Sequence, residues 1–143
     1  MDPQECRQLL GTARVARLAT VDARGVPHLV PVAFVLAGDE AFTAVDAKPK
    51  RTTRLKRLDN IRATGLACLL ADSYDEDWSR LWWVRADASA SVLAPGRQAA
   101  HAVGLLAAKY EQYASAPPAG PVIALGVIRW TGWAASPGEG GVA

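Results

Sequence analysis

The chain has 143 residues and a formal net charge of +2, and half of its residues are hydrophobic. This length suits one domain with a proper core and is too short for two comfortable ones. Because the net charge is small, the protein is not a polycation, and any basic surface must be local. No apolar run approaches the roughly 20 residues that are needed to span a membrane.

The N-terminus and the cysteines indicate in which cellular compartment the protein is expected. The first ten residues, MDPQECRQLL, show no cationic region followed by an apolar stretch, so we expect no signal peptide. Cys6 and Cys68 have neither metal-binding nor redox spacing, which favours a reduced, cytoplasmic setting. Cys68 lies in an apolar run, and we interpret it as a core residue.

The first third of the chain predicts one helix and three strands. Residues 3–11 are typical of a short helix, and residues 14–21 are typical of a strand. Residues 26–36 predict a second strand, and residues 41–45 predict a third. Pro31 lies in the middle of the second strand. Because proline cannot donate to a sheet ladder, the strand must bulge there, or face a ligand or an edge.

The most informative stretch is KPKRTTRLKR at residues 48–57, which leads into a predicted helix that ends near Ala63. Its cations are Lys48, Lys50, Arg51, Arg54, Lys56 and Arg57. Thr52 or Thr53 is the predicted N-cap. Cations at a helix start oppose the helix dipole at a cost of roughly 0.3–1 kcal/mol each, so we interpret them as a seat for an anion such as phosphate. A solvated helix face and a nucleic-acid patch are the alternatives. Confinement of the cations to one segment disfavours a long nucleic acid.

The remaining sequence predicts three more strands and one more helix. Residues 65–71 are typical of a buried strand, and residues 80–93 alternate apolar and polar side chains, which is the clearest strand pattern in the chain. Residues 97–114 predict a helix, and residues 122–130 predict the last strand. Short strands with mostly hairpin connections indicate a mainly β fold of the α+β type, an antiparallel barrel with helices filling the gaps.

Patterns for catalysis and metal binding are weak. We interpret His28 and His101 as ordinary strand-end and surface histidines, and the chain has no Gly-x-Ser-x-Gly elbow. The acidic loop at residues 72–77 lacks the calcium-loop pattern, and no Gly-rich phosphate loop is present, so we predict no metal site. Trp82 and Trp83 point to opposite faces of one strand. One of them is therefore free to cover a planar ligand or to form a subunit interface.

Three segments carry a family resemblance: PHLVPVAF, AFTAVDAKPKRTTRLKRLDNI and ACLLADSYDEDWSRLWWVRAD. On these segments the chain resembles the pyridoxamine 5'-phosphate oxidase-like split β-barrel family. Within that family it is most similar to the actinobacterial branch that depends on the deazaflavin coenzyme F420. The resemblance implies a six-stranded antiparallel split β-barrel of the FMN-binding type with short flanking helices. One domain is expected at residues 1–135, followed by a flexible tail at residues 136–143.

The resemblance also implies a homodimer that holds the cofactor in a groove between its subunits. The residues whose backbone lies against or beside the ring would be Val30, Pro31, Val32, Ala44 and Val45. The residues that seat the phosphate would be Lys48, Lys50, Arg51 and Thr52. The residues that line the far wall, from this subunit or the other, would be Trp82, Trp83 and Trp130.

The implied activity is that of an oxidoreductase in which reduced F420 delivers hydride to an unsaturated or conjugated small molecule, while the protein mainly supplies geometry. The cations exceed what one phosphate needs, which favours F420, with its acidic tail, over FMN. An FMN-dependent reductase or oxidase of the same fold is one alternative, and a non-enzymatic carrier of F420, flavin or haem is another. The substrate-phosphate residues of the true pyridoxamine-phosphate oxidases have no clear match, so oxidation of vitamin B6 is not expected.

Overall fold

The computed structural model describes residues 1–45 and 55–135, and one antiparallel sheet of seven strands forms its centre. The strands are β1 (Ala16–Val21), β2 (Pro27–Val32), β3 (Val35–Ala37), β4 (Glu40–Ala44), β5 (Leu66–Ser73), β6 (Trp82–Val92) and β7 (Val122–Ala134). Their order across the sheet is β2-β1-β5-β6-β7-β4-β3. The prediction of a mainly β, antiparallel fold is confirmed, with one strand more than the six expected.

The additional strand arises because the predicted strand at residues 26–36 is two strands. β2 and β3 lie at opposite edges of the sheet, yet only Ala33 and Phe34 separate them in the chain. Since one residue spans at most about 3.6 Å, this link forces the two edges together, and the sheet curls into a barrel. We call this link the seam. Pro31 lies on the edge strand β2 and pairs with Arg17 of β1, so the structure shows the edge position among the three alternatives for this proline.

The sheet buries its inner face around two hydrophobic clusters. The main core fills the barrel, and its largest buried side chains are Leu10, Leu18, Phe34, Leu69, Val84, Ile123 and Leu125. The smaller core lies under the third helix and contains Val35, Phe42, Ala102, Leu106, Val122 and Ala124. β6 keeps the predicted alternation, because Val84, Ala86 and Ala88 are buried whereas Ser89 and Ser91 are exposed.

Four α-helices accompany the sheet in the described part of the chain: α1 (Pro3–Thr12), α2 (Lys56–Thr64), α3 (Arg97–Lys109) and α4 (Glu111–Ser115). Asp2 and Glu5 form a capping box at the start of α1. The predicted helix at residues 97–114 is interrupted at Tyr110, whose extended backbone (φ −115°, ψ 120°) separates α3 from α4. None of the helices in the described ranges is long and apolar enough to cross a membrane.

Polar side chains at the α3–α4 junction hold the seam. The Tyr110 hydroxyl accepts a 3.0 Å hydrogen bond from the Phe34 N–H and can donate to the carbonyl of Phe34 or Arg14, at 2.9 and 3.0 Å. The Lys109 ammonium donates to the carbonyls of Ala13 and Phe34 at 2.8 and 2.9 Å. Burial lowers the pKa of Lys109 to about 8, and the charge of Arg14 adds to this effect. These contacts satisfy backbone groups that the crossing from one sheet edge to the other leaves without a strand partner.

We predict that Tyr110→Phe lowers the free energy of unfolding by about 1–3 kcal/mol, because the change leaves partly buried backbone groups at the seam without a partner. The matched control is Tyr74→Phe, whose exposed hydroxyl accepts a 3.4 Å hydrogen bond from Trp78. This control is expected to change stability by less than about 0.5 kcal/mol. Urea unfolding of both variants measures the difference, and equal losses would contradict the assigned role of Tyr110.

Candidate functional site

The seam brings the end of β2 close to the end of β4. The Thr43 hydroxyl donates a 2.7 Å hydrogen bond to the Ala33 carbonyl, which directly follows β2. The Val45 N–H, which directly follows β4, donates to the Pro121 carbonyl at 2.9 Å. The structure therefore brings together the two backbone stretches that the sequence assigned to the cofactor ring.

The residues assigned to the ring face different environments. Val30 packs against the main core and Val32 is buried, whereas Pro31 is exposed on the outer face of the edge strand. Ala44 is partly buried against the smaller core, and Val45 packs against the main core. An edge strand leaves backbone groups on its outer side without a strand partner, so β2 can offer main-chain hydrogen bonds to a planar ligand.

Helix α2 begins later than the sequence predicts. Its N-cap is Leu55, whose side chain packs against the main core, and no side chain of residues 1–45 or 55–135 caps the first turn. The prediction of Thr52 or Thr53 as the N-cap is therefore wrong. Uncapped N–H groups at a helix start carry partial positive charge and favour anions. The predicted phosphate-seating residues lie outside the described residues: Lys48, Lys50, Arg51 and Thr52.

Both ends of the cation-rich segment are anchored on the same core. Val45 precedes the segment and Leu55 ends it on the helix side, and both residues pack against the main core. At the start of α2, the Lys56 ammonium lies 3.4 Å from the Asp22 carboxylate. Backbone hydrogen bonding from Val26, together with Lys56 and other donors, lowers the pKa of Asp22, so this carboxylate is charged at neutral pH. The salt bridge with Asp22 thus holds Lys56, the first cation of α2, at the helix start.

The inner face of α2 carries a buried polar site that the sequence reading missed. Asn60 is 1% exposed, and its amide nitrogen donates a 3.1 Å hydrogen bond to the Thr20 hydroxyl. His28 is the partner of Thr20 in the β1–β2 pairing. The Asn60 Oδ1 and His28 Nδ1 atoms are both buried, and neither has a hydrogen-bond partner among residues 1–45 and 55–135. His28 lies at the start of β2, as expected of a strand-end histidine, but its Nδ1 atom is buried.

These two atoms leave hydrogen-bonding capacity unused inside the described part of the fold. An unpaired buried polar atom costs about 1–3 kcal/mol, so a ligand that pairs with it gains binding free energy. An amide oxygen accepts, and an imidazole nitrogen donates or accepts. The pair suits a ring edge that carries N–H and C=O groups, which flavins and deazaflavins have. The feature of the sequence that could have indicated a buried polar residue is the position of Asn60 between Leu58 and Ile61, two buried residues of α2.

The three tryptophans assigned to the far wall do not form one wall within a single chain. Trp82 packs against the main core. Trp83 lies on the opposite face of β6, as predicted, and its Nε1 atom is buried without a hydrogen-bond partner in the described part of the chain. Trp130 donates a 2.9 Å hydrogen bond to Asp39, and Arg7 lies over its ring at 5.8 Å. Hydrogen bonds from Arg7 and Trp130 lower the pKa of Asp39.

Cys68 faces outward from the sheet, so its interpretation as a core residue is wrong. Its thiol donates a 3.3 Å hydrogen bond to Asp87, which also pairs with Arg129 at 3.0 Å. Partial burial, reinforced by the Asp87 carboxylate, raises the pKa of Cys68 to about 11. The thiol therefore stays protonated at neutral pH and is a poor nucleophile. Within the described ranges, no group of three or more His, Cys, Asp or Glu side chains is placed to hold a metal ion.

A curled antiparallel sheet with flanking helices is the architecture of the split β-barrels, and this is the class to which the fold corresponds. A family model described as Pyridoxamine 5'-phosphate oxidase matches residues 2–134, and the chain belongs to that family. Membership of the pyridoxamine 5'-phosphate oxidase-like family and the split-barrel fold, both expected from the sequence, are confirmed. No curated protein is significantly similar to the chain in sequence.

Several solved structures share the fold. An FAD-binding protein from Mesorhizobium loti is 18% identical with a TM-score of 0.69, and the alignment covers 92% of this chain and 94% of that one. HutZ, the heme storage protein from Vibrio cholerae, is 14% identical with a TM-score of 0.69 over 92% and 90%. A conserved hypothetical protein, Rv2991, from Mycobacterium tuberculosis is 19% identical with a TM-score of 0.71 over 94% and 85%. At these identities the similarities show the fold alone.

Gly120 sets how closely the segment before β7 approaches the site. A Cβ atom at this position would collide with the Val45 carbonyl, which is backbone and cannot rotate away. We predict that Gly120→Ala lowers the free energy of unfolding by about 1–3 kcal/mol, because the added methyl overpacks the end of β4.

The control for this change is Gly11→Ala, where the added Cβ meets nothing within 4 Å. Gly11 lies in α1, so its replacement is expected to stabilise the protein by up to about 1 kcal/mol. Chemical denaturation of both variants measures the two effects. A Gly120→Ala protein as stable as the Gly11→Ala protein would show that the close approach to Val45 is not required.

Proposed function

We propose that the chain is an oxidoreductase that binds reduced F420 beside the seam, between the ends of β2 and β4. The observation that carries the proposal is the start of α2, where no described side chain caps the first turn and which directly follows the cation-rich residues 48–54 of the sequence. Backbone N–H groups and cationic side chains together suit a phosphate. The sequence holds more cations at residues 48–57 than one phosphate requires, which favours F420 and its acidic tail over FMN.

In this proposal the cofactor, when bound, supplies hydride chemistry for an unsaturated or conjugated acceptor. The protein positions the cofactor and excludes water from it. The edge of β2 offers main-chain groups, and the apolar side chains of Val30 and Val45 limit the access of water. Asn60 and His28, whose Oδ1 and Nδ1 atoms have no described partner, would hold a polar group of the cofactor. Fixed geometry of this kind is a large part of what an enzyme contributes to a transfer between two bound molecules.

Two alternatives remain within the same fold. FMN or FAD as the cofactor is supported by the family itself and by the similar protein described as FAD-binding. A carrier without catalytic activity is supported by the similarity to a heme storage protein. Cys6 and Cys68 are free thiols, which fits the proposed cytoplasmic setting.

The cofactor proposal is tested by titrating the purified protein separately with oxidised F420 and with FMN, following tryptophan fluorescence. We expect F420 to bind more tightly. The double change Lys50→Ala with Arg51→Ala should weaken F420 binding about tenfold and reduce its salt dependence, because it removes two charges from the phosphate seat. The control Arg24→Ala, which removes an exposed cation in the β1–β2 turn, should leave affinity unchanged.

Three outcomes would overturn parts of this proposal. Protein that purifies yellow and prefers FMN would assign the site to a flavin. Affinity within twofold of the parent chain in the double variant would remove the phosphate seat from residues 50 and 51. F420 binding without turnover of reduced F420, across a panel of enones and biliverdin-type acceptors, would support the carrier role.

We also propose that the protein is a homodimer that associates through the outer face of β2, β1 and β5. Leu29, Leu66 and Leu70 are 66%, 56% and 37% exposed on these strands. Cys68 and Ala19 are paired across β5 and β1, and Ala19 is paired with Leu29, so the apolar surface is continuous across three strands. Exposed apolar patches of this kind are typical of protein interfaces.

Sedimentation velocity tests the dimer. At micromolar concentration the molar mass obtained for the parent protein should be twice the 15.1 kDa of one chain. The double change Leu66→Asp with Leu70→Asp should give a monomer, because it places charges in the apolar patch. Val15→Asp is the matched control, since Val15 is 42% exposed but precedes β1. A monomeric parent chain, or a dimer that survives the double change, would contradict the assigned face.

A further inference from the structure

A cavity of about 630 Å³ lies away from the inner face of α2, between the end of β6, the first turns of α3 and the segment before β7. This volume is within the range of small-molecule sites, roughly 300–1,000 Å³. The residues that line its walls and rim include Arg62, Pro95, Ala99, Ala100, Pro118 and Pro121. Small side chains and prolines therefore form most of the wall of this cavity.

The walls of the cavity are apolar. Ala99 and Val103 project from α3 and also pack against the smaller core, which fixes their positions. Pro118 is buried, and prolines have restricted backbones. A largely preformed apolar cavity loses little conformational entropy when a ligand enters it. The body of a matching ligand is therefore apolar.

The cavity has one cationic side chain at its rim. Arg62 is exposed in the last turn of α2, and it forms no ion pair or hydrogen bond within residues 1–45 and 55–135. An unpaired guanidinium beside apolar walls favours a carboxylate, because its N–H groups match both oxygens. The first turn of α3, which also lines the cavity, has Gly96 as its N-cap and no capping side chain, and this adds positive potential of the same sign.

The cavity is next to the proposed cofactor site. Its wall residue Gly120 contacts Val45, and its wall residue Pro121 accepts a hydrogen bond from the Val45 N–H. We propose that this cavity binds a small molecule with an apolar body and a single carboxylate, whose charge Arg62 pairs. The proposal concerns binding to the chain itself and does not require the cofactor to be F420.

Isothermal titration calorimetry of the purified full chain tests the proposal with three probes of equal chain length: octanoate, octan-1-ol and octyltrimethylammonium. We expect octanoate to bind about tenfold more tightly than octan-1-ol, and the cation to bind most weakly. Octanoate affinity should fall as salt rises, because Arg62 is exposed. Equal affinities for octanoate and octan-1-ol would overturn the assigned anion, and no binding of octanoate at millimolar concentration would overturn the site.

Three variants locate the binding. Arg62→Gln should lower the affinity for octanoate about tenfold and leave the affinity for octan-1-ol unchanged, because it removes only the charge. Arg24→Gln, an exposed arginine outside the cavity, is the matched control and should change neither affinity. Ala100→Trp places a large side chain at an exposed wall position and should weaken both probes, with thermal unfolding confirming that the variant folds. If Arg62→Gln and Arg24→Gln behave alike, the pairing with Arg62 is wrong.

Discussion

The rest of the structure depends on a two-residue connection between opposite edges of one sheet. β2 and β3 lie six positions apart in the sheet order, and Ala33 and Phe34 alone join them. Because so short a link cannot cross a flat sheet, the sheet must curl until its edges meet. Curling encloses the main core and leaves backbone groups at the seam that Tyr110 and Lys109 then satisfy. The barrel is thus a consequence of connectivity, and the α3–α4 junction stabilises it.

The same constraint positions the candidate site. Closing the barrel sets the end of β2 beside the end of β4 through the Thr43–Ala33 hydrogen bond. The chain then passes from Val45 to Leu55, both of which pack on the core that the curled sheet encloses. A helix start without a capping side chain, followed by Lys56 and Arg57 in its first turn, works against helix stability. That cost is understandable if an anion completes the site.

Much of the site could be predicted from the sequence, since charge and strand patterning are local properties. The cation-rich segment, the edge position of Pro31 and the opposed faces of Trp82 and Trp83 follow from composition, proline chemistry and the two-residue period of a strand. Asn60 and His28 could not be paired in this way, because they lie far apart in the chain and the β1–β2 register brings them to the same threonine. Cys68 was misplaced because apolar neighbours in sequence do not reveal which face of a strand a residue occupies.

The sequence by itself determined the strands, the helices and the local charge, because alternation, capping and breaker residues act within a few positions. It also determined the family, through segments that span most of the chain. Tertiary structure alone decided where one strand becomes two, which buried polar atoms stay unpaired, and which face of the sheet is left apolar and exposed. These features depend on contacts between residues far apart in the chain, and such contacts exist once the seam has closed.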